Sequence, residues 1–266
     1  MVLDKIIERK REEVAASKRR LPFEKIVKMA GKKKFKKRSL FKALRGEGLH
    51  LICELKKASP SKGILRRQFK PLSLAQEFES AGASAISVLT EKHFFKGDPK
   101  TLNQIRPHTK VPLLRKDFIL EPYQIYETLL LGADVFLIIV TLVSDTELRN
   151  MLRIAKTLNL EVLVEVHTKD ELKRALAAGS KIIGINNRNL KTLHVDFSVS
   201  RRLIKQIPKG IVAVIESGVG NKNDILRYQR LGAHNFLIGT VLMKSRNVSK
   251  KINELSEKAE SINATG

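Results

Sequence analysis

From residue 50 onward, short apolar runs alternate with longer segments whose apolar residues recur every three or four positions. The runs fall at 50–55, 84–89, 111–115, 134–140, 160–166, 181–185, 211–215 and 234–239. Runs of this length bounded by turn residues predict buried strands. The intervening segments, among them Leu72–Ala81, Pro122–Leu131, Ser144–Leu158, Lys169–Ala178 and Lys222–Leu231, carry the helical period. Several end on Gly82-Ala83, Gly132-Ala133, Gly179-Ser180 or Gly232-Ala233, the expected helix stop. Eight strand-then-helix units in succession predict a parallel sheet closed on itself, an α/β fold of the (β/α)8 TIM-barrel kind. An open doubly wound sheet has no need of eight near-equal units.

Ahead of the first strand, Leu3, Ile6, Ile7 and Val14 recur among charges and predict an amphipathic helix over 3–20. Leu21-Pro22 breaks it, and Phe23–Ala30 forms a second, short helix. The expectation is a single barrel domain over 1–266, with 1–47 as an N-terminal helical extension. The basic run Lys32 to Arg38 holds one aromatic and is flanked by periodic apolar residues on both sides. It is therefore read as a solvated connector and not as a nucleic-acid tail.

Charge sharpens the picture. Lys+Arg total 51 against 27 Asp+Glu, a formal +24, which favours anionic partners such as phosphorylated metabolites, nucleic acid or a membrane surface. Residues 1–50 hold 17 Lys+Arg and 6 Asp+Glu, a net of +11. The lone Cys53 excludes an internal disulfide and a multi-cysteine metal site, and fits a reducing cytosol. No apolar run approaches the ~20 residues of a membrane span. A cytoplasmic protein, without membrane partners, is expected.

In such a barrel the chemistry gathers where strands end. The first run ends in Glu54 and Lys56, two residues apart and so on one face. The third delivers Arg115-Lys116-Asp117-Phe118, the fifth Glu165, the sixth Asn186-Asn187-Arg188, the seventh Glu216-Ser217-Gly218 and the eighth Gly239-Thr240. Three carboxylates and two lysines at one mouth would shift one another's titration, as acid–base work requires. Ser217-Gly218 and Gly239-Thr240 match the usual barrel phosphate site, and Ser59-Pro60-Ser61-Lys62-Gly63 offers a further anion-binding turn. Phe94, Phe95 and Phe118 either belong to the core or wall an aromatic substrate. His93, His167 and His194 lack metal-ligand spacing and are read as ordinary loop histidines. No nucleotide-binding glycine motif is present, so no cofactor and no metal are expected.

Cys53-Glu54-Leu55-Lys56-Lys57-Ala58-Ser59-Pro60-Ser61-Lys62-Gly63 closely resembles the first-strand signature of indole-3-glycerol phosphate synthases. The likeness continues through Ser87–Glu91, Leu114–Ile119, Val164–His167, Gly184–Arg188 and Glu216–Gly218, and extends to the opening helix. It departs at Asn189, where the family usually carries Asp, and at Val241, where a smaller residue is often found. The resemblance implies decarboxylating, dehydrating ring closure of 1-(2-carboxyphenylamino)-1-deoxyribulose 5-phosphate in tryptophan biosynthesis. It implies Lys116 as general acid, Glu165 as general base, Glu54 in proton transfer and Lys56 facing the anthranilate carboxylate. Ser59, Phe95, Phe118, Asn186, Arg188, Glu216, Ser217, Gly218, Gly239 and Thr240 would hold the substrate. A monomer binding no specific nucleic acid is expected. The rivals are an aminoaldose isomerase on the same barrel, which needs only one acid–base pair, and an RNA-binding protein suggested by the +24 charge.

Overall fold

The computed structural model describes residues 2–257 of the 266. Eight parallel strands close into a barrel in the order β1-β4-β5-β6-β7-β8-β9-β10 and back to β1. They are β1 (His50–Leu55), β4 (Ala85–Leu89), β5 (Leu113–Lys116), β6 (Val135–Ile139), β7 (Glu161–Val166), β8 (Ile182–Asn186), β9 (Val212–Glu216) and β10 (Asn235–Ile238). Each lies within two residues of the run that predicted it. A small hairpin, β2 (Ala58–Ser59) with β3 (Gly63–Ile64), stands in the loop after β1.

The helices between them are α4 (Pro71–Ser80), α5 (Lys100–Ile105), α6 (Pro122–Leu130), α7 (Asp145–Thr157), α8 (Lys169–Ala177), α9 (Ser198–Leu203), α10 (Lys222–Gln229) and α11 (Thr240–Lys244), with α12 (Val248–Ser256) after them. Their starts follow local chemistry. Ser144 and Glu147 form a reciprocal capping box on α7, and Asn221 with Asp224 does the same on α10. The four helix-closing glycines all take left-handed φ, between 80° and 92°. No pattern in the sequence announced α5, α9 and α11, which are only five or six residues long.

Alternation along the strands sorts the core into two clusters. Outward residues such as Leu51, Cys53, Ile86, Phe136, Val164 and Ile183 pack under the helices. Inward residues such as Ile52, Leu114, Leu137, Leu163, Ile182, Val214 and Leu237 fill the barrel. Cys53 is therefore wholly buried, and desolvation pushes its thiol far above the usual range.

Three helices precede the barrel: α1 (Val2–Arg20), α2 (Phe23–Lys32) and α3 (Leu40–Ala43). Leu3 and Ile6 of α1 join Phe118 and the half-buried Phe94 and Phe95 at the strand C-terminal end. Lys10 reaches Asp117 at 2.9 Å and Glu13 at 2.7 Å while almost fully buried. Below this, Phe23 of α2 meets Tyr126 of α6 edge to face, with ring centres 5.5 Å apart. The chain then crosses to the opposite end of the barrel, where strands begin. There the Arg38 amide donates to Asp134 at 2.9 Å, the Ser39 hydroxyl and the Phe41 amide donate to Glu161, and Leu40 and Leu44 enter the inward cluster.

This placement corrects the reading of the basic run. Lys32, Lys33, Lys34 and Lys36 are exposed, as a solvated connector requires. Lys37 and Arg38 are not: the Lys37 ammonium lies 4.5 Å over the Phe35 ring, and the Arg38 guanidinium donates to the Val111 carbonyl at 3.0 Å and to Thr109. Burial lowers the Lys37 ammonium to about 8, although nearby Asp134 acts the other way. The second half of the run is an anchor at the foot of the barrel.

Candidate active site

The inward positions, followed toward the strand C-termini, change from aliphatic to ionisable. Ile52 is succeeded by Glu54 and Lys56, Leu114 by Lys116, Leu163 by Glu165, Ile182 and Gly184 by Asn186, and Val212 and Val214 by Glu216. These side chains meet on the floor of a cavity of about 490 Å³ at the mouth. Leu137 and Ile139 from β6 wall one side, and Phe95 and Phe118, with ring centres 6.3 Å apart, wall another. Arg188, Leu190, Val195, Phe197, Lys62 and Lys244 stand around the rim.

Lys116 is the centre of the charge arrangement. Its ammonium lies 3.1 Å from Glu165 Oε2 and 3.1 Å from Glu216 Oε2. Burial opposes the charge, but Glu165, Glu216 and Glu54 outweigh it and hold the ammonium above its ordinary range. Lys116 is thus protonated and able to donate. Glu165 is also buried, which disfavours its charge, yet Lys116, His167 and Asn186 together keep its carboxyl below the usual range. Asn186 Nδ2 donates to Glu165 Oε1 at 3.0 Å. Glu216 goes the other way: burial and the neighbouring Glu165 outweigh Lys116, and its carboxyl rises to about 8. Two acids driven in opposite directions and one ammonium sit within hydrogen-bond reach, an acid–base set divided by environment.

Glu54 forms an ion pair with Lys56 across the β1 end. Gly239 lies against the Glu54 carboxylate so closely that a Cβ there would collide with it, and Gly184 stands in the same relation to Glu216. The missing side chains at these two inward positions make room for the two acids. Beyond Glu216, Ser217 takes a left-handed φ of 63°, rare for a residue with a Cβ and common at functional turns. Ser217, Gly218, Gly220, Gly239 and Thr240 line the side of the cavity at the ends of β9 and β10, where barrels hold phosphate.

Of the residues expected at the site, Glu54, Lys56, Phe95, Lys116, Phe118, Glu165, Asn186, Arg188, Glu216, Ser217, Gly218, Gly239 and Thr240 all line the cavity. Ser59 is placed in the hairpin after β1 and does not; Lys62 of the same turn does. Asn189 Oδ1 accepts from the Lys191 and Thr192 amides at 2.8 and 3.0 Å, a role that asks only for an acceptor.

Sequence reasoning passed over two supports. Asn187, 1% exposed, donates to the Ser217 carbonyl at 3.1 Å and the Tyr228 hydroxyl at 3.0 Å, and accepts from the Ser200 amide. His167, read as an ordinary loop histidine, lies between Glu165 and Glu171, 3.4 Å from one and 3.3 Å from the other. Its signal was available: it sits two residues beyond Glu165, on the same face of an extended chain.

The family model described as indole-3-glycerol phosphate synthase matches residues 3–255. A protein of that name from Campylobacter jejuni (serotype O:6) is 44% identical over 257 residues, covering 96% of this chain and all of the relative. Another from Acetivibrio thermocellus is 42% identical over 261 residues, covering 96% and 98%. Among solved structures, KGPDC from Streptococcus mutans superposes with a TM-score of 0.61 at 13% identity, over 78% of this chain and 95% of that one. The 3-hexulose-6-phosphate synthase of Salmonella typhimurium gives 0.60 at 13% identity, over 78% and 97%. These two likenesses establish the barrel alone.

Proposed function

The chain belongs to the indole-3-glycerol phosphate synthase family, and on that premise we propose that the mouth closes the indole ring of 1-(2-carboxyphenylamino)-1-deoxyribulose 5-phosphate. The aryl carbon bearing the carboxylate attacks the ketone carbon, with the electron pair pushed by the anilino nitrogen, and the ketone oxygen takes a proton from Lys116. Loss of CO2 returns its bonding pair to the iminium so formed. The new hydroxyl, protonated again through Lys116, then leaves as water while a base removes the proton from the adjacent carbon, which completes the aromatic ring. No group outside the chain is needed as electron acceptor, because the iminium serves as one.

Glu165 is assigned as that base and Glu54 as its partner in proton transfer. Lys56 faces the substrate carboxylate until it departs as CO2. Phe95 and Phe118 wall the aryl ring. Asn186, Arg188 and Glu216 orient the sugar chain, and Ser217, Gly218, Gly239 and Thr240 surround the phosphate. The observation that carries the reading is the position of Lys116, with 3.1 Å to each of two buried carboxylates on the floor of an aromatic-walled cavity. A general acid at a carbonyl must hold a proton and stand within reach of the reacting group, and a buried ammonium on the cavity floor meets both needs.

Among the described residues, no helix is long and apolar enough to cross a membrane. The lone buried Cys53 accords with a reducing cytoplasm. The test of function is direct: adding the carboxyphenylamino substrate should give indole fluorescence at a rate proportional to enzyme. Absence of that signal from folded protein would sink the reading.

A further inference from the structure

We propose that His167 is a positioning residue for Glu165, holding that carboxylate ionised and in one orientation by an imidazolium shared with Glu171. The inference rests on Glu165 being the base. His167 follows the last residue of β7, its side chain is 14% exposed, and it is not among the residues that line the cavity. It therefore reaches substrate only through Glu165. Its Nε2 lies 3.4 Å from Glu165 Oε1, and its Nδ1 lies 3.3 Å from Glu171 Oε2.

Glu171 is itself fixed. It stands in the first turn of the nine-residue α8, where the helix end favours negative charge. Its carboxylate accepts from the His167 amide at 2.6 Å, and its own amide donates to Thr168. The imidazole thus hydrogen-bonds Glu171 through Nδ1, while Nε2, 3.4 Å from Glu165 Oε1, makes an ion-pair contact and no hydrogen bond; a cationic ring serves both carboxylates. Burial opposes that charge, yet the two acids outweigh it and push the imidazolium up to about 10.

The remaining charged and polar groups around Glu165 come from other strands. Lys116 on β5 takes Oε2, Asn186 on β8 donates to Oε1, and Glu216 on β9 lies beyond Lys116. This division gives His167 its role. When Lys116 passes its proton to the substrate ketone, the charge that held Glu165 ionised from the Oε2 side is gone. The imidazolium on the Oε1 side remains, and the base is still a carboxylate when its step arrives. The effect belongs to the reaction in progress, so it falls on kcat and not on KM.

The experiment compares wild type, His167→Gln and Glu171→Gln. In His167→Gln, kcat should fall about tenfold with KM nearly unchanged, and the acidic limb of the kcat profile should move up by about 1 pH unit, the size of one lost neighbouring charge. Glu171→Gln, which keeps the ring, should move the limb in the same direction by less. NMR of 15N-histidine protein, assigned by difference from His167→Gln, should show the His167 ring cationic at pH 8. A neutral ring at pH 8, or a wild-type limb in both variants, overturns the proposal. Should His167→Gln fail to fold, the ring signal is assigned instead by its displacement in Glu171→Gln, and that variant's limb and the wild-type ring titration decide. Wild type that makes no indole product would sink the function, while the ring titration would still judge the imidazolium.

Discussion

Lys116 carries the chemistry because its neighbours leave it no neutral option: two carboxylates at 3.1 Å stabilise the ammonium more than burial opposes it. Lys116→Ala should therefore lower turnover by roughly 10²–10⁴-fold, the span of a lost general acid. Folding should survive, because Glu216 already rises toward neutrality and the site can take up a proton in place of the lost cation. Stopped-flow indole fluorescence beside circular dichroism checks both halves, and near-wild-type turnover would remove Lys116 from its role. Next in the chain after Glu216, Ser217 holds a left-handed backbone that costs a residue with a Cβ about 1–2 kcal/mol. Ser217→Ala and Ser217→Gly both lose the hydroxyl and should both bind the phosphorylated substrate less well. Only glycine relieves the backbone, so Ser217→Gly should melt above Ser217→Ala. The reverse order would mean that the turn is not strained at this residue.

At the scale of the element, α1 is tied to the mouth by one buried pair. Lys10 meets Asp117, which also holds Arg115 at 3.1 Å and accepts from Thr90. Asp117 immediately follows Lys116, so the helix is anchored to the strand end that bears the acid. Lys10→Met keeps most of the apolar stem and removes the charge, and it should cost about 2–3 kcal/mol, less than an isolated break because Arg115 remains on Asp117. The pH dependence has a definite sign. Burial works against both charges, but the pair outweighs it, holding Asp117 below its ordinary 3.8 and Lys10 above its ordinary 10.5. The Asp117 contribution is present above about 3.8 and lost as acid protonates it; the Lys10 contribution is present below about 10.5 and lost in stronger base. Denaturant midpoints of wild type and Lys10→Met should thus differ most between those limits and converge outside them. A constant difference from pH 2 to 9 would deny the ion pair its stabilising role.

At the scale of the whole molecule, the exposed basic run at 32–36 and the site are spatially separate. Lys32 to Lys36 lie on the chain as it crosses to the foot of the barrel, whereas the cavity opens at the opposite end. Exposed charges farther than about 10 Å from the substrate are largely screened at physiological salt. Replacing Lys32, Lys33, Lys34 and Lys36 with Gln should leave turnover and melting temperature nearly unchanged. Arg38→Gln should lower the melting temperature, because its guanidinium holds the Val111 carbonyl and Thr109 beside the buried Asp134. Equal effects of the two changes would erase the distinction between connector and anchor.

The sequence by itself determined the barrel, because the short apolar runs of buried strands and the helical period of 3.6 are written in single residues and need no distant partner. It also determined which residues face inward at the mouth. Once Ile52, Leu114, Leu163 and Val214 are inward, Glu54, Lys116, Glu165 and Glu216 must follow two residues later. What it could not supply were distances between elements. Lys10 and Asp117, Arg38 and Asp134, and Asn187 and Tyr228 meet only because separate segments pack together. The roles of His167 and Glu216 likewise depend on which charges surround them after burial. A carboxyl near 8 comes from burial and a neighbouring acid, and an imidazolium near 10 from two acids that overcome burial; both arrangements exist only in the folded chain.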